Sequence, residues 1–345
     1  MNKLDDLTQI KAVDKNDMAK FIAEMPEQIK KSLETMASVK LPEKYQQIES
    51  VCFCGIGGSA CAADLYLNQN FADHKLPMAL VRDGELPGWA GKNTLVVLIS
   101  HSGITKETER AFKEAAAKET KIVVICERGD LEVWAKAEGA VVLDYDTKAA
   151  PRAALGYQFG LIAGLNNVLN LGPKIELEKT LEILDGLNAE LNPEAPTEKN
   201  MAKHLAFALF EHEPKILGSG ILNSVARRWK NQLSENSKNF SSFDSIPEAM
   251  HNSLEGISFP KLSADESFYV LLRNSLGNPA EAAAIDSWSA VLEEKNISYE
   301  LLEATGDDIW SQKFSLVLLG DWASFYLAIL NGIDPTPVPT IEKYK

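Results

Sequence analysis

Short apolar runs alternate along the chain with longer segments whose apolar positions recur at helical spacing. In the first half the runs are "VCFCG", "PMALVRD", "TLVVLIS", "KIVVIC" and "AVVLDYD". Between them lie "GSACAADLYLNQNF", a stretch from about Thr105 to Lys118, and "LEVWAKAEG". Strands apolar on both faces, each followed by a helix, predict a parallel sheet covered on both sides. The first forty-odd residues read as helices with a break at Pro26. "PRAALGYQFGLIAGLNNVLNLG" reads as one long helix, with Pro151 in its first turn and Gly172-Pro173 at its end.

The pattern then starts again. "PKILGSGILNSVARRWKNQL" is strand, glycine turn and helix, and "FYVLLRNSLGNPAEAAAIDSW" is strand, Ser/Gly loop and helix. A weak internal duplication follows, with "LEKTLEILDGLNAELNPEAPTEKNMAKHLAFALF" as a helical connector. The expected fold class is α/β: two doubly wound domains, residues 1–172 and 173–345, each a parallel sheet flanked by helices.

A chain of 345 residues exceeds the size at which single cores usually stop growing, which agrees with two domains. The net charge of −14 argues against a nucleic-acid backbone or an anionic membrane as the main partner, so any bound anion needs a local site. The opening residues show no signal-peptide core, and no stretch reads as the roughly 20 apolar residues that span a bilayer. The expected address is the cytoplasm. Cys52, Cys54, Cys61 and Cys126 lie in strands and a helix, with no ligand-like spacing to the histidines. They read as buried, reduced thiols, and no metal is expected.

Candidate chemistry gathers where two strands end. "CGIGGSA" and "ISHSGIT" each fall between a strand and a helix, where open sheets bind ligands. A helix start presents unpaired amides and the positive end of its dipole to an anion. Gly57 and Gly58 allow close backbone approach, and Ser59, Ser100, Ser102 and Thr105 supply hydroxyls. Neither loop holds a lysine or arginine, so the grip is neutral and suits a terminal phosphate monoester. Thr105 as an N-cap and Ser102-Gly103 as a turn are the plainer readings. A dinucleotide fingerprint is not met, because its third glycine position holds Ala60. The second copy has Asn274, Ser275 and Gly277 at the matching place and looks like a site that has lost its ligand.

"GIGGSA" followed some forty residues later by "ISHSGITKET" resembles the sugar isomerase (SIS) domain, which binds phosphosugars. "PRAALGY", "SENSKNFSSFDSIPEAMHNSLEG", the early "DMAKFIAEMPEQI" and the ending "LGDWASFYLAILNGIDPTPVPTIEKYK" resemble the two-domain bifunctional phosphoglucose/phosphomannose isomerases. The resemblance implies two SIS-type domains and a cofactor-independent aldose–ketose isomerase. Its substrate would be a hexose 6-phosphate, its intermediate an enediolate, and its setting glycolysis and gluconeogenesis.

The resemblance also assigns roles. Glu235 stands where the family's proton-shuttling glutamate stands, and His251 matches the ring-opening histidine, which reaches the active site of a neighbouring subunit in a homodimer. Arg152 matches the arginine that stabilises the enediolate. Lys345 fits the terminal lysine by register, with Lys343 as the alternative, and Thr336 matches the hydroxyl that accommodates both C2 epimers. This chain has His101 and Ile104 where the family more often has Tyr and Asn, and Ser253 where it usually has Glu. Those departures define a rival reading, a phosphosugar-binding regulator without turnover. Isomerisation of an amino sugar phosphate is a third.

Overall fold

The computed structural model describes residues 3–69, 74–260 and 266–344. They divide into two compact units, one of residues 24–176 and one joining the segment up to Ala23 to residues 177–345. The expected division at Gly172 differs from this partition chiefly at the other end of the chain. The first two helices, α1 (Leu7–Val13) and α2 (Met18–Ala23), group with the later residues. One link is a part-buried ion pair: Lys203 Nζ donates to Asp5 Oδ1 at 3.0 Å and to the carbonyls of Ala195 and Pro193 at 2.7 and 3.1 Å.

The unit 24–176 begins with α3 (Met25–Ser38) and continues through β1 (Ser50–Cys54), α4 (Gly58–Leu67), β2 (Met78–Val81) and β3 (Thr94–Ser100). It closes with α5 (Lys106–Ala117), β4 (Lys121–Cys126), α6 (Asp130–Ala137), β5 (Val141–Asp144) and α7 (Leu155–Leu169). The five strands are parallel in the order β2-β1-β3-β4-β5. Every residue of β3 and β4 is buried, as apolar runs between two helical layers must be. The order reverses between β1 and β3, and the carboxyl ends of those two strands form the crevice that such sheets use for ligands. All four cysteines are buried thiols outside any disulfide, and burial pushes Cys52 and Cys126 up to about 12, which keeps those two protonated.

The single helix expected from Pro151 is two pieces. Pro151–Ala153 form a 3-10 turn, and α7 follows. Buried Gln28 of α3 satisfies the break, donating from Nε2 to Ala153 O at 2.9 Å and accepting from Gly156 N at 3.2 Å. The helix ends at Asn170, in the left-handed region at φ 52°, before Gly172-Pro173 is reached. Gly156, Gly160 and Gly164 form a stripe against α3, where a Cβ would stand 2.5–2.8 Å from Gln28, Ser32, Met36 and the Met25 and Ile29 carbonyls.

The other unit continues through α8 (Glu178–Leu191), α9 (Met201–Leu209), β6 (Glu213–Ser219), α10 (Asn223–Asn236), β7 (Ser242–Ile246) and β8 (Ser267–Arg273). It ends with α11 (Pro279–Glu294), β9 (Tyr299–Glu303), α12 (Ile309–Leu330) and α13 (Pro339–Tyr344). Its parallel order β7-β6-β8-β9 repeats the first four strands of the other sheet, the architecture that the duplication predicts. Helix α12 corrects one expectation: at 22 residues it is long and apolar enough to cross a membrane, but 94% of its most apolar window is buried in the unit. Within that core, α10 bonds several of its polar groups. Arg228 Nε and Nη2 donate to Asp321 at 3.1 and 2.6 Å, Gln232 Nε2 adds 2.9 Å, and Trp229 Nε1 donates to Leu316 O at 2.7 Å.

Candidate active site

In the unit 24–176 the chain leaves β1 through Gly55-Ile56-Gly57 and enters α4, with Gly57 at φ 58°. No side chain caps α4, and a Cβ on Gly57 would meet nothing within 4 Å. This helix start thus has no side-chain cap and open space on the Cβ side of Gly57, an arrangement that suits an anion. The second loop, from β3 to α5, lies against it. His101 N donates to Ser59 Oγ at 3.2 Å, and Ser100 Oγ is 3.0 Å from Thr105 Oγ1 and accepts from Gly103 N at 3.1 Å. Thr105 occupies the N-cap position of α5, yet its hydroxyl does not cap the helix. The plain capping reading thus fails here, and a second set of amides is left open. Ser102 is exposed, with Oγ 3.5 Å from Ile104 N. Gly103 (φ 66°) packs its α-carbon against Arg128 O, where no side chain fits, so the loop is wedged against the end of β4.

His101 buckles this loop from behind. Its Nδ1 is 3.1 Å from Tyr145 Oη, its Nε2 is 3.7 Å from Glu127 Oε2, and Tyr145 Oη also accepts from Gln158 Nε2 at 2.9 Å. Burial holds the imidazole below its ordinary pKa, opposed by Glu127 and a hydrogen bond that the ring donates to the Ala149 backbone carbonyl. The Pro151–Ala153 turn completes the corner. A Cβ on Gly58 would be 3.0 Å from Arg152 N, so only glycine lets this turn sit so close to the start of α4. Arg152 itself is buried. Ser59, Ser100, Thr105 and the Arg152 turn are thereby brought together.

The remaining candidates belong to the other unit. Glu235 was expected to begin a loop; instead it lies in the last turn of α10, half-buried. The helix extends because Asn236 Nδ2 reaches Ser324 Oγ on α12 at 2.9 Å. Lys238, at φ 58°, donates from Nζ to Glu235 O at 2.6 Å and Pro335 O at 3.0 Å. That clasp brings Glu235 and Thr336 into one neighbourhood, where Thr336 N donates to Asp334 Oδ1 at 3.0 Å. His251 is exposed at the end of the 3-10 turn Glu248–His251 that follows β7. Ser253, two residues on, bonds Asp244 of β7. Lys343 is exposed on α13, and Lys345 lies outside the described residues.

Three residues with a part in this geometry escaped the sequence reading. Thr108, in the first turn of α5, buries a hydroxyl that has no partner beneath the loop. Gln28 and Lys238 act through backbone carbonyls, and their contacts span 125 and up to 97 positions, which no local pattern signals. A cavity of about 420 Å³ lined by Lys44, Lys92 and Lys121 lies at the opposite edge of the sheet, where strands begin. Lys121 Nζ there is already committed to Lys92 O and Asn93 Oδ1 at 2.8 and 3.3 Å, which sets this cavity apart from the loops above.

Residues 198–345 match the family model described as the bacterial phospho-glucose isomerase C-terminal SIS domain. A bifunctional phosphoglucose/phosphomannose isomerase of Caldicellulosiruptor bescii is 34% identical over 331 residues, covering 95% of this chain and 98% of that relative. One from Aquifex aeolicus is 31% identical over 300 residues, covering 86% and 89%. Among solved structures, a hypothetical protein of Thermus thermophilus is similar in fold. Its TM-score is 0.76 at 15% identity, over 95% of this chain and 89% of that one.

Proposed function

This chain belongs to the bifunctional phosphoglucose/phosphomannose isomerase family, and on that premise we propose that it interconverts glucose 6-phosphate and mannose 6-phosphate with fructose 6-phosphate. The observation that carries the substrate class is the open space at Gly57 between two uncapped helix starts, closed in by Ser59, Ser100 and Thr105. Neutral amides and hydroxyls there hold the phosphate dianion without a cation, with Gly57, Gly58 and Ser102 on the same rim.

The chemistry needs one base and one charge stabiliser. Glu235 takes the proton from C2 of the open-chain aldose; the C2 electron pair forms the C1–C2 double bond and the C1 oxygen becomes anionic. Arg152 offsets that charge. The proton on O2 passes to O1, the carbonyl forms at C2 as the electron pair of the C1–C2 double bond takes up Glu235's proton at C1, and the ketose leaves with the carboxylate regenerated. His251 serves the ring oxygen during opening, and its exposure supports the reading that it acts on the substrate of a second copy in a homodimer. Thr336 borders the C2 position and tolerates either epimer, and Lys345 or Lys343 adds positive charge. The homodimer, these roles and a cytoplasmic address are parts of one reading.

The test is a coupled assay on glucose 6-phosphate and mannose 6-phosphate side by side. Both should turn over, and Glu235→Gln should lower kcat by roughly 10²–10⁴ while the variant still binds phosphosugar. Near-wild-type turnover by folded Glu235→Gln would end the mechanism, and binding without turnover by the wild type would favour a regulator.

A further inference from the structure

The two sheets can be matched residue by residue. β6 and β8 correspond to β1 and β3 by strand order. Gly55 and Gly218 both sit where a Cβ would crowd the carbonyl four residues on, and Gly57 and Gly220 follow two residues later at φ 58° and 51°. The loop from β3 to α5 (101–105) and that from β8 to α11 (274–278) are the same length. Thr105 therefore corresponds to Asn278 at the N-cap, and Thr108 to Glu281 in the first turn.

The contents of the two cradles differ. The Cβ direction of Gly57 is open to 4 Å, whereas Glu281 Oε2 stands where a Cβ on Gly220 would have to be and 2.7 Å from that of Gly277. Helix α5 starts uncapped, but α11 is closed by a reciprocal pair. Asn278 Oδ1 accepts from Ala280 N and Glu281 N at 2.9 and 3.0 Å, and Asn278 Nδ2 donates to Glu281 Oε1 at 3.0 Å. Glu281 Oε2 is buried and makes no hydrogen bond, so only its other oxygen is held, by Asn278. Ser219 Oγ and Asn274 Oδ1 are buried without partners, on residues 1% and 8% exposed, and Asn274 Oδ1 is 3.0 Å from the same Gly277 Cβ position that Glu281 Oε2 approaches.

We propose that the tips of β6 and β8 form a second phosphate-monoester cradle that the protein keeps shut with its own anion, the Glu281 carboxylate held by Asn278. The inference rests on the reading that the Gly57 cradle binds phosphate, and it predicts that a chain with two such sheets grips one sugar phosphate.

Equilibrium dialysis with glucitol 6-phosphate, which cannot isomerise, tests both points. The wild type should bind one per chain. Asn278→Thr/Glu281→Thr, which copies the pattern of Thr105 and Thr108, should bind two, and so should Glu281→Ala should the double variant fold poorly. Glu281→Gln keeps the volume and should stay at one. A folded double variant or Glu281→Ala that still binds one, or Glu281→Gln binding two, overturns the proposal. No binding at all by the wild type sinks the Gly57 reading instead, and the variant-minus-wild-type difference still decides the second cradle.

Discussion

Substituting Gly58 by alanine tests whether the Arg152 turn is positioned by its contact with α4. The added Cβ would stand 3.0 Å from Arg152 N and 3.2 Å from both Arg152 Cα and Pro151 C, where ordinary contact begins at 3.4 Å. The turn must back away by about 0.4 Å. Its neighbour is backbone pinned by Gln28, so no side chain can swing aside. Overpacking of this kind costs about 1–3 kcal/mol. Alanine returns up to ~1 kcal/mol of helix propensity, leaving roughly 0–2 kcal/mol of net destabilisation. The larger effect is kinetic. A 1 Å misplacement of a reacting group can cost about 10²-fold, so 0.4 Å scales to about sixfold in kcat. KM should hardly move, because the Gly57 and Ser59 contacts are untouched. The assay is steady-state turnover of glucose 6-phosphate beside a thermal melt, with Gly88→Ala, whose Cβ meets nothing within 4 Å, as the control. An unchanged kcat in folded Gly58→Ala, or an equal loss in Gly88→Ala, would refute the reasoning.

Lys203→Met should destabilise the chain by about 1–3 kcal/mol, below the range for a fully buried ion pair, because Asp5 is part-exposed and keeps its two bonds from Thr197. Urea unfolding checks this, and a loss under about 1 kcal/mol contradicts the assignment. His101 contributes to the loss of stability in mild acid. Its folded pKa lies below the ordinary 6.5, so below pH 6.5 the unfolded chain takes up a proton that the fold resists, and stability falls as pH drops from 6.5 towards the folded value. His101→Gln should flatten that slope between pH 6.5 and 5 in urea midpoints; identical slopes for both proteins would remove the role.

The parallel strands were legible because β1, β3 and β4 are apolar on both faces, and the two candidate loops because glycine turns with hydroxyls follow two of those strands. β7 and β9 carry no such run. "SFDSI" and "YELLE" are edge strands, mostly half-buried, and their residues obey neither the buried-strand nor the helical pattern. Glu235 read as loop because "SENSK" is polar, but Asn236 is held by α12, and tertiary contact overrode local preference. The grouping of the first helices was hidden for the same reason, since Asp5 and Lys203 are 198 positions apart. The second loop showed its missing hydroxyls in sequence; that a glutamate fills the gap needed the backbone of Gly220 and Gly277.

Gln28 and the three-glycine stripe make a helix outside the sheet part of the arginine's scaffold. A fragment starting at Ser50 would hold every strand of its sheet and every loop hydroxyl, yet would lack the amide side chain that ties Ala153 to Gly156. Such a piece should still capture phosphate while its guanidinium wanders. Supplying residues 24–38 as a separate peptide would then re-seat the arginine without adding a single group that meets the sugar.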